Sequence, residues 1–293
     1  MPAVIAVFGP TASGKTAIAE AIADRLETIV VSCDAMQVYR GLPILTNQPA
    51  RPTALVAIRD LDEEMSVGAY ASLAHAAIDE SVARSGTAVV SGGTGLYLRA
   101  ALADLAVPPP PAAGVRERIQ GEVEGDPAAA HTRLLALDSR AAAAVHPHDH
   151  RRVVRALELA EAGNSLVPAE DRLWATTTRH ATLIAGLDIR AAELEQRIVA
   201  RTDAMFAQGV VAEVRAALAA GVSQTAAKAL GLQEIATLPE AKARELIIIR
   251  TRRYAAYQRK WMRRIPGLVS VDGTRGPEEV ADAILEVVRL RSL

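Results

Sequence analysis

Eight residues near the start of the chain, GPTASGKT from Gly9 to Thr16, have the types and spacing to hold a short chain of phosphates. In such a loop glycine-permitted backbone N–H groups cradle the anion, a lysine neutralises it, and the hydroxyl that follows can ligate Mg²⁺. Here Gly9, Pro10, Thr11, Ala12, Ser13 and Gly14 form the cradle, Lys15 carries the charge, and Thr16 is both a phosphate contact and the metal ligand. Nucleotide hydrolases and kinases share this spacing, so the loop alone does not say which phosphate it holds. A second stretch, SCDAMQVYRGLPILTNQP from Ser32 to Pro49, carries Asp34 and Gln37. Open parallel sheets bind ligands in the crevice outside the strands' carboxyl ends, so a carboxylate just past the second strand faces the phosphate loop. Asp34 is therefore a candidate catalytic base, with an Asx-turn or a more remote Mg²⁺ ligand as the competing readings. Gln37 offers a donor and an acceptor, which suits an adenine edge or an ordinary loop role. A third stretch, GGTGLY from Gly92 to Tyr97, holds Thr94, which by spacing can cap a helix.

The elements that must position these residues alternate as βα units. Ala3 to Phe8 reads as a buried strand and Ala17 to Leu26 as the helix whose N-terminus points at the phosphate site. Ile29 to Ser32 is a second strand, Val67 to Ser85 a helix capped by Ser66, and Thr87 to Ser91 a third strand that feeds GGTGLY. Then AVPPPP, Ala106 to Pro111, cannot continue a helix and reads as a stiff hinge. Gly114 to Gly163 is helical by composition. Thr182 to Gly186 returns the chain to the sheet, and Ala191 to Ala220 forms one or two helices. The expected fold is α/β: a P-loop NTPase-like parallel sheet with helices on both faces and an α-helical insertion domain. Residues 1–107 would form the first part of the core, 108–178 the insertion, and 179–293 the second part with basic C-terminal helices. No internal repeat at solenoid period is present.

Composition fits this plan. Half of the 293 residues are hydrophobic but only 3% are aromatic, so Ala, Val, Leu and Ile must build the core. A formal net charge of −1 gives no global sign of nucleic-acid binding, and any such surface has to be local. Two local runs qualify: HPHDHRRVVRALELAE, His146 to Glu161, and RTRRYAAYQRKWMRR, Arg250 to Arg264, the latter with seven basic residues and no acidic one. Interleaved Arg, Tyr, Gln and Trp would suit a phosphate backbone with unstacked bases, and a solvated helix face is the alternative. A single cysteine, Cys33, excludes a disulfide framework and reads as a small buried residue. Trp174 and Trp261 read as packing or cap residues, with base stacking as the alternative for Trp261 in the basic helix. His146, His148 and His150 have no cysteine partner and do not make a zinc set. The opening MPAVIAVFGP lacks a basic leader region and its apolar run is cut short, so a cytoplasmic protein without a membrane segment is expected.

Taken together, GPTASGKT, DAMQVYRGLPI-x-T-x-x-P, GGTGLYL, HPHDHRRVVRALEL, KALGLQE and TRRYAAYQRKW resemble, in order and from about Val4 to Trp261, the tRNA dimethylallyltransferase family. The resemblance implies transfer of the dimethylallyl group of dimethylallyl diphosphate to the exocyclic amine of the adenosine just 3′ of a tRNA anticodon, with Mg²⁺. It implies that Gly9 to Thr16 and Lys228 hold the diphosphate and that Asp34 is the base, with Lys15, Thr16 and Thr94 at the reacting centre. It also places Asp34, Ala35, Met36, Gln37, Thr94, Arg116, Arg151, Arg152, Arg155, Lys228, Gln233 and Gln258 against the tRNA anticodon stem-loop, on a monomer. The chain departs from the family pattern at several positions. Ala35 stands for Ser, and Ile44-Leu45-Thr46-Asn47-Gln48-Pro49 for I-G-T-A-K-P. A paired histidine has no counterpart in Ala54 to Ala57, and Ala255-Ala256-Tyr257-Gln258 stands for A-K-R-Q. A P-loop kinase for a nucleoside or metabolite, an isopentenyltransferase for free adenine nucleotide, and an RNA-binding protein with weak catalysis remain as alternatives on the residues alone.

Overall fold

The computed structural model describes residues 1–105, 107–108, 111–112, 114–167 and 172–291. Strand β1 (Val4–Phe8) leads through the glycine loop into helix α1 (Lys15–Arg25), and β2 (Val30–Ser32) is followed by the short α2 (Pro43–Thr46). Next come α3 (Val67–Ser85), β3 (Ala88–Gly92) and α4 (Gly95–Leu102). The α3 boundary matches the sequence reading, and Ser66 caps it by accepting from the Ala69 amide at 3.1 Å. Helix α1 starts two residues before the sequence reading because Gly14, at φ 84°, turns the chain directly into it.

All described strand pairs are parallel, in the order β2-β3-β1-β4-β5, with β4 (Thr182–Asp188) and β5 (Val269–Asp272) on the far side of β1. The edge strand β5 carries no signal that the sequence reading used: it is four residues long and only Val271 is buried. Along β1, Val4, Ala6 and Phe8 enter the hydrophobic layer on one face while Ile5 and Val7 enter the other. This period-two alternation with both sides apolar is what a central parallel strand requires. After β4 run α9 (Ala191–Ala207) and α10 (Val210–Ala220), separated at Gly209, whose φ of 93° no other residue adopts cheaply. Then α11 (Leu232–Thr237) and α12 (Glu240–Met262) precede β5, and α13 (Pro277–Leu290) packs beside α1.

Two compact units are present: Met1–Leu105 with Leu173–Leu293, and Ala106–Arg172. In the second, α5 (Val115–Gly125), α6 (Pro127–Leu137), α7 (Ser139–Ala144) and α8 (His150–Glu161) surround Ile119, Leu134, Val153 and Leu157. Residues 173–178, placed in the insertion by sequence, belong with the sheet. The cause is Arg99, 1% exposed, which donates to the carbonyls of Leu173 at 2.8 Å and Ala175 at 2.9 Å. Trp174 then packs on Trp261 with ring centroids 4.8 Å apart. Ala106, Pro109 and Pro110 of the expected hinge lie outside the described residues.

Candidate active site

The phosphate loop leaves the buried end of β1 at Phe8. A Cβ on Gly9 would lie 2.7 Å from the Ser13 hydroxyl oxygen, and Ala12 and Gly14 take left-handed backbone angles of 63° and 84°. Gly14 caps α1 without a side chain, so the first-turn N–H groups of the helix keep their capacity for an anion. The Ser13 hydroxyl is buried and has no hydrogen-bond partner among the described residues. An orphaned donor inside such a cradle fits a phosphate oxygen.

Two cations face this loop. Burial lowers the pKa of Lys15, against the pull of Asp34, and nearby Arg201 lowers it further. Burial also lowers the pKa of Arg201, again opposed by Asp34, while its Nη1 donates to the Thr11 hydroxyl at 2.7 Å. Desolvated cations of this kind gain most when an anion arrives, because the low dielectric strengthens the pair. Arg197 contributes a 3.4 Å bond to the Ser13 carbonyl. Spacing gave no hint of Arg201 or Arg197, which come from α9, far along the chain.

Asp34 follows β2 by two residues. Its Oδ1 accepts from the Met36 amide at 2.9 Å, so the Asx-turn read from sequence is present. Asp34 also lines two spaces at once. One is a narrow recess shared with Lys15, Thr16, Ser32 and Ser91; the other is a cavity of about 560 Å³ walled by Ala35, Met36, Thr46, Thr94, Lys228 and Tyr254, with Thr11 and Arg201 at its phosphate end. Thr94 occupies the N-cap position of α4 but makes no capping bond. Its hydroxyl instead accepts from the Ala35 amide and meets the Tyr254 hydroxyl, both at 3.4 Å. Burial, with Asp34 adding to it, pushes the Tyr254 pKa up to about 12, so this side chain stays a neutral phenol. Tyr254 is a wall residue that the sequence reading passed over as part of a basic run. Cys33, fully buried, has its thiol pushed up by burial and is inert packing.

Several residues expected to touch RNA also make bonds within the protein. Gln258 is 2% exposed; its Oε1 accepts from the Thr11 amide at 2.8 Å and its Nε2 donates to the Gly93 carbonyl at 2.9 Å. It is a strut between the phosphate loop and the GGTGLY turn. Gln37 accepts from the Ser32 hydroxyl at 3.0 Å and donates to the Asn47 carbonyl at 2.8 Å, so its amide shapes the loop after β2. Gln48 donates to the Tyr39 carbonyl at 2.7 Å and Leu45 is buried, which gives both departures from the family pattern a structural use. Within the helical unit, buried Glu158 accepts from Arg116 at 2.6 Å and Arg155 at 2.9 Å. Burial alone would raise the Glu158 pKa, but the two guanidiniums outweigh it and hold it low. Arg151 and Arg152 are exposed without an ion-pair partner among the described residues, and Gln233 is exposed on α11. Gly231, at φ 99°, is the turn that opens α11.

The basic run on α12 is divided in the same way. Arg250 pairs with Glu234, Arg252 with Glu195 at 2.6 Å, Arg259 with the Ile189 carbonyl, and Arg264 lies 3.9 Å above the Trp174 ring. Arg253, Lys260 and Arg263 have no ion-pair partner among the described residues. No described helix is long and apolar enough to cross a membrane.

Comparison with known proteins agrees with the motif order. The model of a family described as IPP transferase matches residues 37–265, and one described as isopentenyl transferase matches residues 2–55. The chain is 39% identical, over 97% of its length and 86% of the relative's, to a tRNA dimethylallyltransferase of Salinispora arenicola. Among solved structures it is similar to a tRNA isopentenylpyrophosphate transferase from Bacillus halodurans, with 28% identity, TM-score 0.67, and 98% and 95% of the two chains covered. A tRNA delta(2)-isopentenylpyrophosphate transferase from Staphylococcus epidermidis matches at 25% identity and TM-score 0.70, covering 99% and 100%. These neighbours have the P-loop NTPase-like fold.

Proposed function

The chain belongs to the IPP transferase family, and from that premise we propose that it transfers the dimethylallyl group of dimethylallyl diphosphate to the N6 amine of the tRNA adenosine 3′-adjacent to the anticodon, releasing diphosphate. The observation that carries this reading is the double exposure of Asp34, to the phosphate-side recess and to the cavity of about 560 Å³. A base on that border can meet an adenine amine whose partner carbon is still attached to a diphosphate in the loop.

The chemistry then follows from the residues. The amine is a poor nucleophile because its lone pair is delocalised into the ring, so removing its proton as the new bond forms helps. The N6 nitrogen attacks the first carbon of the prenyl group, the carbon–oxygen bond to diphosphate breaks, and the proton passes to the Asp34 carboxylate. Lys15, Arg201, the Ser13 hydroxyl and the α1 N-terminus stabilise the charge that gathers on the leaving diphosphate. Thr16 and Asp34 offer hard oxygen donors on one recess, which fits Mg²⁺, with Thr16 as its ligand. When bound, the ion would add Lewis-acid neutralisation of the diphosphate. Thr94 and the Tyr254 phenol, on the cavity wall, orient the base, and Lys228 supplies charge at the rim. Arg151 and Arg152 of the helical unit are suited to RNA phosphates.

The test is to incubate the protein with Mg²⁺, dimethylallyl diphosphate and unmodified tRNA carrying adenosine after the anticodon, then digest the RNA and weigh its nucleosides. A dimethylallyl mass gain on adenosine that is absent with free AMP is expected. Gain on AMP instead would give the activity to free nucleotide. Phosphoryl transfer from ATP with no prenyl transfer would give it to a kinase.

A further inference from the structure

The chain has nine Phe, Trp and Tyr residues, and four of them form one ladder. Tyr254 and Tyr257 are near-parallel, with centroids 6.5 Å apart and planes at 26°. Tyr257 meets the edge of Trp261 at 6.4 Å, and Trp261 packs on Trp174 at 4.8 Å. The ladder starts inside the cavity, since Tyr254 lines it, and comes out at Tyr257, which is 54% exposed. Helical spacing puts Arg253 and Lys260 beside Tyr257 on the same stripe of α12, at four and three residues' separation. Both are exposed and without ion-pair partners among the described residues.

An exposed aromatic face between two unpartnered cations, one helical turn from the wall of the base-binding cavity, needs an occupant that is planar and anionic at its edges. Resting on the RNA-substrate reading above, we propose that Tyr257 is a stacking platform for the unpaired base next to the reacting adenosine, with Arg253 and Lys260 on the adjoining phosphates. Extracting one nucleotide from a loop breaks its stacking with its neighbour, and the neighbour gains a new partner on the nearest aromatic face. The 6.5 Å between the two tyrosine rings lies within the reach of adjacent nucleotides.

The probe is an unmodified anticodon stem-loop RNA with 2-aminopurine beside the target adenosine, titrated with the full-length protein at about 50 and about 200 mM salt, where phosphate contacts differ most. Wild type should quench the 2-aminopurine. Tyr257→Ala should bind roughly five- to a hundredfold more weakly, by the same factor at both salt concentrations, and lose the quenching. Tyr257→Phe should keep affinity and quenching, while Tyr257→Arg should lose the quenching and steepen the salt slope by close to one unit. Wild-type affinity and quenching in Tyr257→Ala would overturn the stacking proposal and leave the transferase reading standing, provided the wild type still prenylates the RNA. A wild-type protein that binds no RNA would overturn both.

Discussion

In GPTASGKT the glycine at the helix entrance serves backbone angle, whereas in GGTGLY glycine serves room. Gly14 sits at φ 84°, where a Cβ would meet only the Arg197 guanidinium at an ordinary 3.9 Å, and the loop it belongs to leaves a hydroxyl orphaned and two cations desolvated. A Cβ on Gly93 would come within 2.2 Å of the Gln258 amide nitrogen, and one on Gly95 within 2.3 Å of the Trp261 ring. The second turn is therefore complete by itself, closed by side chains of α12. The first leaves a buried hydroxyl without a partner among the described residues, as a loop that awaits an anion would. On the proposed function, two turns that look alike in sequence divide the work: one would hold the leaving group, and the other holds the protein segments that would frame the acceptor base.

The largest effect should come from Asp34, which lies between the turns. Asp34→Asn keeps an oxygen for the Met36 amide but not a base, so transfer should fall by about a hundred- to ten-thousandfold while RNA affinity stays within about twofold of wild type. Parallel loss of both would make Asp34 a positioning residue. Next is Lys15→Met, for which single-turnover transfer should fall by about a hundred- to a thousandfold. Stability should move the other way. Burial depresses the Lys15 pKa in the folded chain, so the unfolded chain binds the proton more readily and native stability rises with pH toward lysine's ordinary 10.5. Lys15→Met relieves that cost, so its Tm should exceed wild type at neutral pH, and the gain should shrink as pH climbs toward 10.5. Inorganic diphosphate should raise the Tm of wild type more than that of the variant. A lower Tm in the variant would mean that the lysine also holds the empty loop together.

In the second turn, Gly93→Ala should cost about 1–3 kcal/mol by overpacking against Gln258, read in urea denaturation, and should slow transfer only through displacement of Thr94. If its stability is unchanged and diphosphate affinity alone falls, the division of labour between the turns is wrong. The smallest effect is Gly14→Ala, about 1 kcal/mol for a left-handed Ala with nothing to collide with, and its loss of activity should exceed what that destabilisation explains.

Local pattern was enough wherever the physics is local. The Ser66 cap, the strand–loop–helix unit at Lys15 and the all-helical stretch after the proline run follow from which backbone angles and capping bonds neighbouring residues permit, whereas the choice between one helix and two over Ala191 to Ala220 was settled only by the turn at Gly209. The proximity of Asp34 to the phosphate loop was also legible, because parallel strands bring their carboxyl ends, and the loops that follow them, to the same side of the sheet. By contrast, the charge run Arg250 to Arg264 could not be divided by reading it. Whether Arg252 faces Glu195 or solvent depends on which helix lies alongside, and nothing in the run itself records that.

From its sequence alone, then, this protein reads as a P-loop α/β chain with Asp34 beside the phosphate loop, because glycine spacing and βα alternation act over a few residues, while the resemblance of its ordered motifs implies the isopentenyl transfer family. Only the tertiary structure decided that Gln258 is a strut, that Thr94 turns its hydroxyl to Ala35 and Tyr254 instead of capping its helix, and that Arg201 joins Lys15. Thr11 and Gln258 are 247 residues apart, and Thr11 and Arg201 are 190 apart. Contacts of that range are made by how the helices pack on the sheet, and no spacing rule along the chain encodes them.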